Sequence, residues 1–246
     1  MYHAPMLVPA TMSAAFERSA TAARWLICAL AMLFSLPVLA SEIRGQVRLA
    51  MPDGEPVERS EFSDIVVYFE PDSPVPVSAP PSPVEIITVR RQFEPRVTAV
   101  VTGTEIQFPN HDRILHNVFS RSPGNRFDLG LYGQGEGESF VFNNSGLARI
   151  YCNVHQQMVA YVLVLDTPYM TRPGASGRFR LDNLPPGPGR LSVWQPRADA
   201  YTEAMVIETG QMLRRDVDLL LTGRRIPEHA DKDGRPYRRR ARRTRY

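Results

Sequence analysis

Cysteine is nearly absent from this sequence: Cys28 and Cys152 are the only two in 246 residues. Cys28 sits in an apolar run, 25–36, that follows Arg18 and Arg24 and ends before the small-residue stop Val38-Leu39-Ala40. Basic start, short apolar stretch and small-residue stop make residues 1–40 a signal peptide with cleavage before Ser41. The run is too short to cross a bilayer comfortably. The segment ahead of it is long, so Met12 is a second candidate start, and an uncleaved anchor is the other reading of the same residues. Both imply export, with the periplasm as the expected compartment. Cleavage leaves Cys152 as the one thiol of the mature chain, and no cysteine stands at the cleavage point to take a lipid. A lone thiol in an exported protein cannot close an internal disulfide. It is a spare thiol, an intermolecular bridge or a metal ligand.

Two further absences narrow the class. No long stretch has helical periodicity; short β-branched and aromatic runs alternate with Gly, Pro, Asn and Asp turns, which predicts an all-β protein. Candidate strands fall at 43–49, 64–70, 96–101, 104–108, 116–120, 139–142, 148–152, 160–165, 177–181 and 189–194. A basic surface spread through the body is also missing. The formal charge of +3 conceals a tail, 224–246, of +7, and a body, 41–223, of −5. That distribution excludes a nucleic-acid binder. Seven arginines between Arg235 and Arg245 leave the tail too little apolar surface to fold, so 224–246 is expected to be disordered. Opposed to an acidic body, it could fold back, or meet an acidic partner or anionic membrane surface.

What is present divides the mature chain. Six of the thirteen residues 71–83 are proline, an extended linker that no sheet interior would hold. Before it, Gly45-Gln46-Val47 and Asp53-Gly54-Glu55-Pro56-Val57 lead to the apolar run 65–69. Far beyond it, Gly177-Arg178-Phe179-Arg180-Leu181 precedes Leu184-Pro185-Pro186-Gly187 and Leu191-Ser192-Val193-Trp194. These two parts resemble the halves of a carboxypeptidase regulatory-like, or transthyretin-like, β-sandwich. The resemblance implies an interrupted sandwich, 41–70 with 167–223, and an independent domain at 84–166 between its halves. One larger sandwich without insertion is the competing organisation. Trp194, Phe179 and Tyr201 are expected in the flanking core.

Residues 152–158 read Cys-Asn-Val-His-Gln-Gln-Met, between one predicted strand and the next. A thiolate, an imidazole and a thioether therefore share one tight loop. His116 stands at the start of an earlier strand. Two imidazoles and a thiolate in a trigonal array, with a weak axial thioether, are the ligand set of a blue-copper centre. Here the sequence resembles the cupredoxins, the plastocyanin and azurin relatives, with a C-x2-H-x2-M loop as short as that of amicyanins. Phe108-Pro109-Asn110 and His116-Asn117-Val118-Phe119-Ser120 match the stretch around that family's first histidine. The resemblance covers 84–166 and implies a Greek-key sandwich holding one type 1 copper through His116, Cys152, His155 and Met158. Asn117 would be the amide that ties down the cysteine loop. The whole arrangement is similar to the periplasmic proteins described as methylamine utilization proteins, a label that says little about the partner; electron transfer with a protein redox partner, a dehydrogenase or c-type cytochrome, is expected.

Singly, each of these residues has an ordinary structural explanation: a core histidine, a loop histidine, a packing methionine, a buried inert thiol. His111 competes with His116 but lacks the Asn-Val-Phe that follows the latter. A copper carrier or store, and a metal-free envelope interaction module, remain as alternatives. Asp112, Asp128, Glu136 and Glu138 are turn residues with no nucleophile or histidine expected beside them, so hydrolysis is not indicated. The glycines of 130–137 lack a strand-to-helix context and a lysine, and read as a flexible loop rather than a phosphate cradle. With four protein donors on the ion, no position is left for a substrate, and no enzyme activity is expected.

Overall fold

The structure is a computed structural model that describes residues 40–227 and 229–237; the predicted signal segment, except Ala40, lies outside them. The chain begins with β1 (Ser41–Ala50), a 3-10 turn (Arg59–Asp64) and β2 (Val66–Pro71). Ten strands follow the proline-rich stretch. They are β3 (Val84–Glu85), β4 (Ile87–Val89), β5 (Gln92–Glu94), β6 (Val97–Val101) and β7 (Thr104–Asn110). Then come β8 (His116–Ser120), β9 (Phe127–Tyr132), β10 (Gly135–Phe142), β11 (Gly146–Tyr151) and β12 (Val159–Leu165). The chain closes with β13 (Met170–Thr171), β14 (Arg178–Leu184), β15 (Gly187–Trp194), β16 (Tyr201–Ile207), β17 (Met212–Arg214) and β18 (Val217–Leu220). Among the described residues no helix is long and apolar enough to cross a membrane.

Strand pairing sorts these elements into two sandwiches. β1 pairs with β14, β17 and β18, and β2 pairs with β13 and β15. β3 to β12 pair only among themselves, in sheets ordered β10-β7-β4-β5, with β3 on β7, and β6-β12-β11-β8-β9. The chain thus leaves one sandwich after β2, builds a second, and returns. Two glycines of the flanking motifs mark where backbones approach. A Cβ on Gly45 would fall 1.6 Å from the Arg215 carbonyl oxygen, and one on Gly177 would fall 2.1 Å from that of Val47. Gly177 also has φ +77°, open to glycine at no steric cost.

β12 is buried along its whole length, and its alternation explains why. Ala160, Val162 and Val164 enter the core of the inserted sandwich with Phe108, Val118 and Ile150. Val159, Tyr161, Leu163 and Leu165 face the other way, into a layer with Phe119, Tyr151 and Val66, against which Met170 and Trp194 pack. That layer joins the two sandwiches. The expected place of Trp194 changes accordingly: it meets Tyr161 across the junction, ring centroids 5.9 Å apart, while Phe179 and Tyr201 lie in the flanking core. Arg96 adds a polar tie, pairing with the buried Asp64 across the junction and lying over the Tyr161 ring.

The glycine stretch 130–137 is not the loop expected from its composition. Gly130 lies in β9 and Gly135 opens β10, whose register pairs Gly135 with Asn110. Turn-forming residues here carry the chain from one sheet to the other, and Gly130, Gly135 and Gly137 take positive φ.

Candidate metal centre

β8 and β11 are paired, Tyr151 opposite Phe119 and Ile150 opposite Ser120. Alternation puts His116 on the face of Val118, and Cys152, just past β11, on the face of Ile150 and Ala148. Both therefore aim into one end of the inserted core. The loop then turns back. The Met158 N–H donates to the His155 carbonyl at 3.0 Å, and β12 returns beside β11 with Val159 opposite Tyr151. Met158 is buried in the same core as Cys152.

Three ligand atoms converge there. Cys152 Sγ is 3.8 Å from His116 Nδ1 and 3.8 Å from His155 Nδ1, and the two nitrogens are 3.2 Å apart. Among the described residues this is the one group of three or more His, Cys, Asp or Glu placed to share a metal ion. The point equidistant from the corners of that triangle lies about 2.1 Å from each, a metal–nitrogen bond length. Electron-rich atoms crowded this closely repel one another unless a proton or cation lies among them. The donor set is two imidazoles and one thiolate, with a thioether close in sequence and in the core, and soft sulfur with imidazole suits copper.

The surroundings prepare those atoms. His116 is fully buried, and its Nε2 lies 2.9 Å from Asp112 Oδ2. With that nitrogen protonated and donating to the carboxylate, Nδ1 is left bare toward Cys152. Asp112 is in turn held by the N–H groups of Arg90 and Arg91, at 2.7 and 2.9 Å. Both arginines have φ in the left-handed region, at the two-residue turn between β4 and β5. Burial pushes the Asp112 carboxyl up. The two N–H groups and His116 outweigh it and leave the group below the ordinary aspartate value. His155 is only partly buried. Burial, then the His116 and Arg91 charges, lower its pKa and favour the neutral, ligating ring.

Asn117 holds the loop from the neighbouring strand. Its Oδ1 accepts the Asn153 N–H at 3.2 Å, and its Nδ2 donates to Asp128 Oδ1 and to the Gly130 carbonyl. His111 is exposed on a turn, outside the cluster.

Sequence reasoning missed three participants. Asp112 does have a histidine partner, four residues on across the turn, and that spacing was the available signal. Asp128 is no stray turn carboxylate, because it anchors Asn117. The third is the stretch 229–237. Its composition suggested disorder, but it lies along the cysteine loop, with the Tyr237 hydroxyl donating to the Cys152 carbonyl at 3.1 Å. The Asp231-Lys232-Asp233-Gly234 turn was its legible trace: Gly234 N–H donates to the Asp231 carbonyl, and Gly234 takes φ +86°.

No protein-family model matches the chain, and no curated protein matches it. Among solved structures, a purple cupredoxin from Nitrosopumilus maritimus is 22% identical, with a TM-score of 0.30, over 33% of this chain and 98% of that one. A reduced amicyanin variant is 16% identical, with a TM-score of 0.33, over 40% of this chain and 99% of that one. A Cu-containing nitrite reductase from Thermus scotoductus SA-01 is 21% identical, with a TM-score of 0.34, over 48% of this chain and 28% of that one.

Proposed function

We propose that this protein is a type 1 copper protein that passes single electrons between protein partners in the periplasm. The observation that carries the reading is the convergence of His116 Nδ1, His155 Nδ1 and Cys152 Sγ on one point at the end of a β-sandwich. Bound copper would supply a one-electron couple. His116, Cys152 and His155 would hold it, with the Met158 thioether as a weaker fourth donor. Four protein donors leave no place for a substrate, so the chain is read as a carrier rather than an enzyme.

The chain's own residues supply the remaining requirements. Asp112 and Asn117 fix the ligands before the ion arrives, so little rearranges when the charge changes. His116 is sealed in the core while His155 reaches the surface. Leu115 and Val154, next in sequence to the two histidines, are 56% and 50% exposed. They offer an apolar margin on which a dehydrogenase or c-type cytochrome could dock around His155.

The test is a visible spectrum of the mature protein loaded with one equivalent of Cu(II). An intense red thiolate-to-copper band is expected, and Cys152→Ser should abolish it. Met158→Leu should keep copper and move the potential. Colour persisting in Cys152→Ser would overturn the assignment. Loss of the ion on each reduction would indicate a copper carrier instead.

A further inference from the structure

The stretch 229–237 touches the site at the points that hold the cysteine loop. His229 stacks on Tyr151, the residue before Cys152, with ring centroids 4.1 Å apart and planes 13° apart. Tyr237 meets the His229 ring edge-on, centroids 5.3 Å and planes 76° apart, and its hydroxyl donates to the Cys152 carbonyl. Between them Lys232, the only lysine in the chain, makes two bonds. Its backbone N–H donates to Asn153 Oδ1 at 3.0 Å, and its ammonium pairs with Asp128 Oδ2 at 2.6 Å.

These bonds close a ring. Asn117 donates to Asp128, Asp128 pairs with Lys232, Lys232 donates to Asn153, and the Asn153 N–H donates back to Asn117. Without Lys232 the circuit is open, and Asn153, one residue from Cys152, keeps only its backbone tie. Burial raises the Asp128 pKa, but Lys232, Asn117 and the Gly130 N–H outweigh it and keep the carboxylate charged.

We propose that residues 229–237 are a latch on the metal loop, in which Lys232 and Tyr237 are positioning residues that hold Cys152 and slow metal release. This rests on the copper reading for its metal-dependent half only. Latching acts on the loop itself and is present before any ion binds. A hydrogen bond and an ion pair that order a short loop shift its opening equilibrium severalfold each, and the Cys152 carbonyl bond bears directly on the thiolate's residue. The latch ends where the arginine run 238–246 begins.

The experiment compares five proteins with the mature wild type: one ending at 228, one ending at Tyr237, Tyr237→Phe, Lys232→Ala and Lys232→Arg. In metal-free protein, amide exchange of 152–158 should rise about tenfold on ending at 228, severalfold in Lys232→Ala, and less in Lys232→Arg, whose guanidinium can still reach Asp128. Ending at Tyr237 should change nothing. In copper-loaded protein the same order should appear in the rate of loss to a Cu(I) chelator, and Tyr237→Phe should shift the position of the thiolate band. Unchanged exchange of 152–158 on ending at 228 overturns the latch. So does an equal rise in the protein ending at Tyr237, which would assign the effect to the arginine run. Wild-type protein that takes up no copper overturns the copper reading and leaves the exchange result to decide the latch.

Discussion

The flanking and inserted sandwiches treat their buried polar groups differently. In the flanking one, Glu61 is 2% exposed, and the Arg197 guanidinium and the Gln195 amide satisfy its carboxylate at 2.6 and 2.8 Å. Asp64, equally withdrawn, has Arg96. Each buried charge there meets an opposite charge from the same chain, as burial demands. At the end of the inserted sandwich, two imidazole nitrogens and a sulfur meet only each other. Structural polar groups come with partners of opposite character; a binding centre collects groups of the same character. Counting buried polar residues would rank the two regions alike, whereas asking what each atom faces separates them.

Three substitutions probe that contrast, in descending order of effect. Leu163→Ala removes a buried side chain from the layer between the sandwiches and should cost about 3 kcal/mol. The urea midpoints read by Trp194 fluorescence and by far-UV circular dichroism should fall together, since that layer belongs to both regions. A Trp194 midpoint that stays in place would show the sandwiches to be uncoupled. Asn117→Ala deletes three hydrogen bonds and should cost about 2 kcal/mol. Its effect on amide exchange should be concentrated at 128–130 and 152–158, with β1 and β14 unaltered; uniform loosening would erase the regional distinction. Asp128→Asn has the smallest effect and is read by pH. The folded-state pKa of Asp128 is lowered, so its stabilisation is present above the unfolded value of about 3.9 and is lost as pH falls through the folded value. The acid limb of a stability–pH curve should be shallower in Asp128→Asn than in wild type, and parallel limbs would count against the coupling.

How legible all this was depends on the distance between cause and partner. The loop 152–158 was legible in part, because one turn brings Cys152 Sγ and His155 Nδ1 to 3.8 Å and carries Met158 into the core that holds Cys152. The interrupted flanking sandwich could be read from turn chemistry that is local in sequence, although the approaches that require Gly45 and Gly177 involve Arg215 and Val47, far along the chain. The junction was harder. The run Val-Ala-Tyr-Val-Leu-Val-Leu of β12 has no polar alternate face, which signals burial on both sides, but nothing local tells which sheet covers the second face. The latch was hardest, because Tyr237 and Cys152 are 85 residues apart. A polar, arginine-rich composition speaks for solvation, and only the Asp-Lys-Asp-Gly turn hinted at order.

The pairing of β2 with β15 also has a consequence for the order in which the molecule assembles. Val67 lies opposite Val193 and Ile43 opposite Leu181, so the first strands to be synthesised have no partners until most of the chain has followed. Closing so long a loop of flexible chain is entropically costly, and non-local pairings of this kind slow folding. A folded inserted sandwich shortens that loop, because the chain leaves and re-enters it at one place: Thr167 Oγ1 donates to the Phe69 carbonyl at 2.8 Å, and Met170 lies opposite Tyr68. The insertion therefore acts as a template for its host, and the host's earliest strands stay exposed meanwhile. Pulse-labelled hydrogen exchange during refolding should show protection at 97–101 and 159–165 before 43–47. The reverse order would mean that the flanking sandwich assembles without help.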